Sequence, residues 1–322
     1  KAFVKGKLQE NKLWCGFSGL SIPKSPWRFS VRFLRMSTSA VSGGPRHIII
    51  VKVFYSLFMR VAVLQIQARP KKSCNLNKVL DFLSEAAGNR AELIALPEVF
   101  NYRGFLNTSD LREHVFETVP GPSTLPLLAF AKKKRVSILA GSVYERSGCL
   151  EKAYNTSIAI NQRGEIIAKY RKRHLFDAKV ESRVIKETQT FLPGTQRRVF
   201  QIARFRFGMS ICFDLRFPEH YRKYAQNGCH VLCVPSAFTQ ATGQHHWEPL
   251  LKARAIENLS YVVAPNQFGK DECGIVCFGH SMILSPWGEI MAEASADKEE
   301  IIYADFDLRT VQEARARFSG VY

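Results

Sequence analysis

From Met59 onward, apolar residues recur at two different periods. Val61 to Ile66 is apolar except for Gln65, as expected of a strand covered on both faces. Asn75 to Ala87 carries Leu76, Val79, Leu80, Leu83 and Ala87 at spacings that predict a helix with one inward face. Leu93 to Leu96 predicts the next strand. A second round places a helix over Ser123 to Lys134 and a strand over Val136 to Val143. Strands at Thr156 to Ile160 and Ile166 to Tyr170 follow, joined by the turn Asn161-Gln-Arg-Gly164. Two more, Val199 to Phe205 and Gly208 to Phe213, lead into a helix near Pro218, a residue that suits a first helical turn. The remaining pattern predicts a strand at Val231 to Pro235, a helix at His246 to Asn258, and strands at Tyr261 to Ala264, Ser281 to Leu284 and Ile301 to Phe306. This alternation, undivided by any Gly/Pro/Ser-rich linker, predicts one layered α/β domain over residues 59–322.

Composition changes the picture mainly at the N-terminus. Of 322 residues 46% are hydrophobic, enough for a substantial core. The net charge is +18, but residues 1–58 hold ten lysines and arginines against Glu10 alone, half of that excess. The rest is spread along the chain with no RNA-binding signature and no paired zinc-finger spacing, so no nucleic-acid partner is expected. Residues 1–58 are expected to be a basic leader, disordered or a targeting or upstream extension. The apolar stretch Ile48 to Leu64 is broken by Lys52 and Arg60, which argues against a membrane span. Several of the eight cysteines lie in apolar runs, as free thiols do in a reducing compartment. The expected location is cytoplasmic, or mitochondrial if the leader is a transit peptide. The pairs Cys229/Cys233 and Cys273/Cys277 fall in or beside apolar stretches, and neither a metal nor a cofactor is expected.

Three segments could carry chemistry. In Met209 to Glu219 an apolar strand runs up to Cys212 and then turns polar before a helix, the place where α/β proteins put their sites. A thiol there can be exposed and followed by backbone N–H groups facing an oxyanion, though Cys212 could equally pack as a small core hydrophobe. An apolar strand ends in Pro97 and then Glu98, where desolvation would suit the carboxylate to general-base work and solvent would leave it ordinary. In Lys169 to Asp177 strand alternation sets Lys172 opposite Arg171 and Arg173, leaving open which side meets a site.

Together these segments resemble the carbon–nitrogen hydrolase (nitrilase) superfamily, specifically its Nit branch. The carriers are LPEVFN at Leu96 to Asn101, YNTSIAIN at Tyr154 to Asn161, AKYRKRHLFD at Ala168 to Asp177, ICFDLRFPE at Ile211 to Glu219, the run Pro235 to Asn258, and GHSMILSPWGEI at Gly279 to Ile290. The resemblance implies a four-layer αββα sandwich, usually paired into a homodimer. It implies Glu98 as general base, Lys172 as the lysine, Cys212 as nucleophile, and Glu187, which precedes Pro193-Gly194, as a further glutamate. Glu181 is a weaker match to that last role. The implied reaction hydrolyses a linear amide through a thioester on Cys212, releasing ammonia, with Lys172 and the Phe213 N–H stabilising the oxyanion.

The substrate implied is a small anionic amide, with Arg173 or Arg216 pairing its carboxylate and Thr242 lining the pocket. The motifs around Thr242 to Trp247 and Gly279 to Met282 point to deaminated glutathione amidase. The alternative is an ω-amidase acting on α-ketoglutaramate-like substrates. A reading of another class is a basic scaffold or nucleic-acid-binding protein that keeps this fold without its activity.

Overall fold

The computed structural model of the protein describes residues 57–149, 151–180 and 183–318, all within one structural unit, Val53–Tyr322. The leader up to residue 56 and Glu181 lie outside the described residues. In chain order the strands are β1 Phe58–Gln65, β2 Leu93–Ala95, β3 Ser137–Leu139, β4 Val143–Arg146, β5 Ala153–Ile160, β6 Ile166–Arg171, β7 Asp177–Val180, β8 Arg183–Lys186, β9 Val199–Ile202, β10 Phe205–Met209, β11 Val231–Cys233, β12 Tyr261–Ala264, β13 Phe268–Lys270, β14 Val276–Phe278, β15 Met282–Leu284, β16 Ile290–Glu293 and β17 Glu300–Asp307. The helices are α1 Lys72–Gly88, α2 Ser109–Val115, α3 Leu125–Lys134, α4 Pro218–Gln226, α5 Gln240–Asn258 and α6 Leu308–Arg317.

Two sheets dominate. One has seven strands in the order β17-β1-β2-β3-β5-β4, with β6 also paired to β5; the other has six in the order β16-β15-β12-β11-β10-β9. In each, the inner strands run parallel, β1 to β2 to β3 and β10 to β11 to β12. Side-chain alternation along these strands builds three cores. Val61, Val63, Leu93 and Ala95 of the first sheet pack against Phe207, Met209, Val231, Cys233 and Val263 of the second, forming the layer between the sheets. Ala62, Leu64, Ile94 and Ile138 point the other way, onto Val79 and Leu83 of α1 and Leu127 and Ala131 of α3. On the outer face of the second sheet, Leu232, Val234 and Val262 meet Tyr221 and Tyr224 of α4 and Trp247 and Leu251 of α5. The architecture is therefore the αββα sandwich, its strands apolar on both faces because both faces are covered.

Three expectations need correction. The run Val136 to Val143 is two strands that pair one after the other along the same edge of β5, Leu139 with Ala159 and Val143 with Thr156, while β6 takes the other edge; Gly141, with a positive φ of +29°, interrupts the run. A Cβ at Gly141 would sit 1.8 Å from the Pro97 carbonyl oxygen, so this close approach requires glycine. The strand expected to reach Phe213 ends at Met209, and Cys212 instead begins a short 3₁₀ turn, Cys212–Arg216. The helix expected from His246 starts at Gln240, its first turns being polar and carrying no apolar stripe.

Candidate active site

The site forms where four chain segments leave the carboxyl ends of strands: the residues after β2, β6, β10 and β11. Glu98, Lys172, Glu187, Cys212, Phe213, Arg216 and Thr242 all line one cavity of about 200 Å³. Seven of the eight candidates from the sequence are thus brought together. Arg173 is not among the lining residues. Alternation along the end of β6 turns it the other way, where its Nη1 lies 3.3 Å from His220 Nδ1. Arg171, on that same opposite side, pairs with Glu145 at 2.8 Å and lies over the Tyr154 ring.

Glu98 is 3% exposed and is held at every point. Its Oε1 accepts from Asn155 Nδ2 at 2.7 Å and from Lys172 Nζ at 3.1 Å; its Oε2 accepts from the Ala237 N–H at 2.8 Å. The backbone is fixed too. Gln267 Nε2 donates to the Glu98 carbonyl at 2.9 Å, and the following Val99, at a φ of +49° unusual for a β-branched residue, donates its N–H to Ser142 Oγ at 2.9 Å. The carboxylate is therefore oriented before any substrate arrives.

Lys172 is 1% exposed and lies between two carboxylates, 3.1 Å from Glu98 Oε1 and 2.9 Å from Glu187 Oε1. Burial alone would lower its pKa, but Glu187 and Glu98 outweigh burial and hold it well above the usual lysine range. It is a fixed ammonium. Burial, reinforced by Glu98, raises the Glu187 carboxyl above its ordinary value against the pull of Lys172. Glu187 opens a 3₁₀ turn after the β7–β8 hairpin, and its Oε2 accepts the Phe176 N–H at 2.7 Å.

Cys212 sits on a sharp turn with φ +46°, its N–H donating to the Pro235 carbonyl at 2.9 Å. Burial, and then Glu98, push the thiol well above the usual cysteine range despite Lys172 and the Ala237 N–H. The resting thiol is therefore protonated, and forming the thiolate requires a base in contact with it. Beneath the turn lies Asp214, fully buried. Its Oδ2 accepts from the Ile211 N–H at 2.9 Å and the Tyr170 hydroxyl at 2.6 Å, and its Oδ1 from the His174 N–H at 3.0 Å. Asp214 thus ties the nucleophile's turn to the segment that carries Lys172.

The sequence alone did not point to Asn155, the Ala237 N–H or Gln267 as groups that orient Glu98, nor to Arg103, Tyr144 and Asp271 in the cavity wall. Asn155 lies within one of the recognised motifs, but only tertiary contact shows what it does.

A profile of the carbon–nitrogen hydrolase family matches residues 60–316. The chain belongs to the carbon–nitrogen hydrolase family. It is similar to human omega-amidase NIT2, 37% identical over 257 residues that cover 80% of this chain and 91% of that protein. The zebrafish (Danio rerio) omega-amidase NIT2 is 35% identical over the same length. Among solved structures, the Caenorhabditis elegans NitFhit protein superposes with a TM-score of 0.75 at 31% identity, covering 81% of this chain and 63% of that one. Saccharomyces cerevisiae Nit3, a member of branch 10 of the nitrilase superfamily, gives 0.73 at 30% identity, covering 82% and 96%. This carbon–nitrogen hydrolase is an amidase, a hydrolase of carbon–nitrogen bonds, and its likeness runs to the Nit branch. Both the human and the zebrafish relatives carry the omega-amidase name.

Proposed function

We propose that the protein is an ω-amidase, hydrolysing the terminal amide of a short dicarboxylic half-amide of the α-ketoglutaramate or succinamate kind. The observation that carries this is the cavity itself: a cysteine, a fixed ammonium and two carboxylates at one end, with arginine in the walls. At about 200 Å³ the cavity lies below the ~300–1,000 Å³ usual for drug-sized ligands, which favours a short substrate over a tripeptide-like one.

Glu98 takes the Cys212 proton as Sγ attacks the amide carbonyl carbon. The oxyanion that forms is stabilised by Lys172 Nζ and the Phe213 N–H. Collapse breaks the C–N bond, and Glu98 returns its proton to the leaving nitrogen, releasing ammonia from a primary amide. A thioester remains. Glu98 then takes a proton from water, the hydroxide attacks the thioester, and the second collapse frees the carboxylic acid and restores the thiol. Glu187 holds Lys172 in line and faces the amide nitrogen. Arg216, whose guanidinium lies over the faces of Phe213 and Phe238 and which has no acidic partner among the described residues, offers a charge to the substrate carboxylate.

The test is product formation from α-ketoglutaramate and from deaminated glutathione. Both yield α-ketoglutarate, the second with an amine rather than ammonia as co-product. A kcat/KM higher for α-ketoglutaramate supports the proposal; a preference for deaminated glutathione overturns it.

A further inference from the structure

Resting on the amidase reading above, we infer that Arg103 is the residue that selects substrates by the carboxylate at their far end. Arg103 follows Glu98 on the loop after β2, is 5% exposed and lines the same cavity as Cys212. Its Nη2 donates to Asp271 Oδ2 at 2.8 Å. Asp271 is itself fixed: it opens the turn between β13 and β14, and its Oδ1 accepts the Ile275 N–H at 2.8 Å. The other end of the guanidinium is different. Arg103 Nη1 is buried and has no hydrogen-bond partner among the described residues. A buried charged donor left without an acceptor is costly, so an acceptor is expected where the residue faces open space, which here is the cavity.

Two of the other strong donors of the cavity are already held by its carboxylates, whereas Arg216 has no acidic partner among the described residues and can assist Arg103 at the substrate carboxylate. Lys172 donates to Glu98 and Glu187, and Asn155 Nδ2 to Glu98. The charged residues of the wall are Glu98 and Glu187, joined through Lys172, the pair Arg103 and Asp271, and Arg216. Because Asp271 already neutralises much of the charge on Arg103, the free Nη1 acts chiefly as a directional donor held in advance, and its hydrogen bond to a carboxylate reads position as well as charge. A half-amide carrying its carboxylate at that distance is accepted, and a neutral amide of the same length is not rewarded.

The experiment uses the full chain and two substrates of equal length, succinamate and the neutral butyramide, with Arg103→Gln and Arg103→Lys. Arg103→Lys keeps a cation against Asp271 and guards against loss of fold in the first variant. Both variants should lose roughly 10–100-fold in kcat/KM for succinamate, mainly through KM, and change less than about threefold for butyramide. Equal losses on both substrates, or none, would overturn the assignment. Calorimetric titration with succinate gives a readout independent of turnover. Succinate bound by the parent and weakened at least about tenfold in both variants keeps the anchor even where neither amide is hydrolysed, in which case the ω-amidase proposal fails alone. Absence of succinate binding by the parent overturns the anchor.

Discussion

Replacing Lys172 with methionine removes the one cation from between Glu98 and Glu187, whose oxygens lie 3.1 and 2.9 Å from its Nζ. Methionine fills similar space, so the effect is electrostatic. Breaking a buried ion pair by removing one partner costs about 3–5 kcal/mol, because an uncompensated charge remains. Here two remain, and the site relieves itself by protonating one. Burial and Glu98 already raise the Glu187 pKa with Lys172 present; without Lys172 it rises further. An acid whose pKa is raised in the folded state contributes stability below its unfolded pKa, and that stability is lost as pH rises through the folded value. Lys172→Met should therefore be close to the parent near pH 5 and destabilised by about 3–5 kcal/mol near pH 8. For a domain of this size that is roughly 6–20 °C in Tm. The assay is thermal unfolding of parent and variant at both pH values, comparing the difference at each. An equal deficit at pH 5 and pH 8, or no deficit, would refute the claim that Lys172 neutralises two buried carboxylates.

Asn155→Ala removes the 2.7 Å bond to Glu98 Oε1 while leaving those from Lys172 and Ala237; kcat should fall roughly 10–100-fold with KM little changed in steady-state kinetics. Gly141→Ala would drive a Cβ into the Pro97 carbonyl and shift Glu98, lowering kcat/KM by about 10²-fold or more together with Tm. Burial holds the His220 pKa down to about 4, so its stabilising share is complete above the unfolded value near 6.5 and is lost as pH falls from there toward 4. That limb amounts to about 3 kcal/mol at most and should flatten in His220→Gln when chemical denaturation is followed across that range.

The layered α/β class was legible because β1, β2, β11 and β12 are short apolar runs and α1 has a clear stripe, patterns that only a sheet covered on both faces requires. The hairpins β7–β8 and β13–β14 were not, since Asp-Ala-Lys-Val and Phe-Gly-Lys carry no sustained alternation, yet these segments shape the cavity wall with Phe176, Ile185 and Asp271. The break at Gly141 was equally hidden, because what demands it is the carbonyl of Pro97, 44 residues earlier. Glu98, Lys172, Cys212 and Glu187 stand out as polar residues closing strands or opening turns, and they meet in the fold. Arg173 looked equivalent to Arg216 by charge, and alternation along the chain sends the two to different places. Arg103 offers no signal of its own in the sequence; its meaning lies in Asp271, distant in the chain and 2.8 Å away in space.

The central claim is that Cys212 attacks the amide and carries the acyl group. The direct measurement is acid-quenched mass spectrometry of the protein during turnover of succinamate, with fragmentation to locate any adduct. The account predicts a succinyl mass increment on the peptide bearing Cys212, discharged by hydroxylamine, and neither adduct nor turnover in Cys212→Ala. Turnover by Cys212→Ala, or an adduct on another residue, would contradict it.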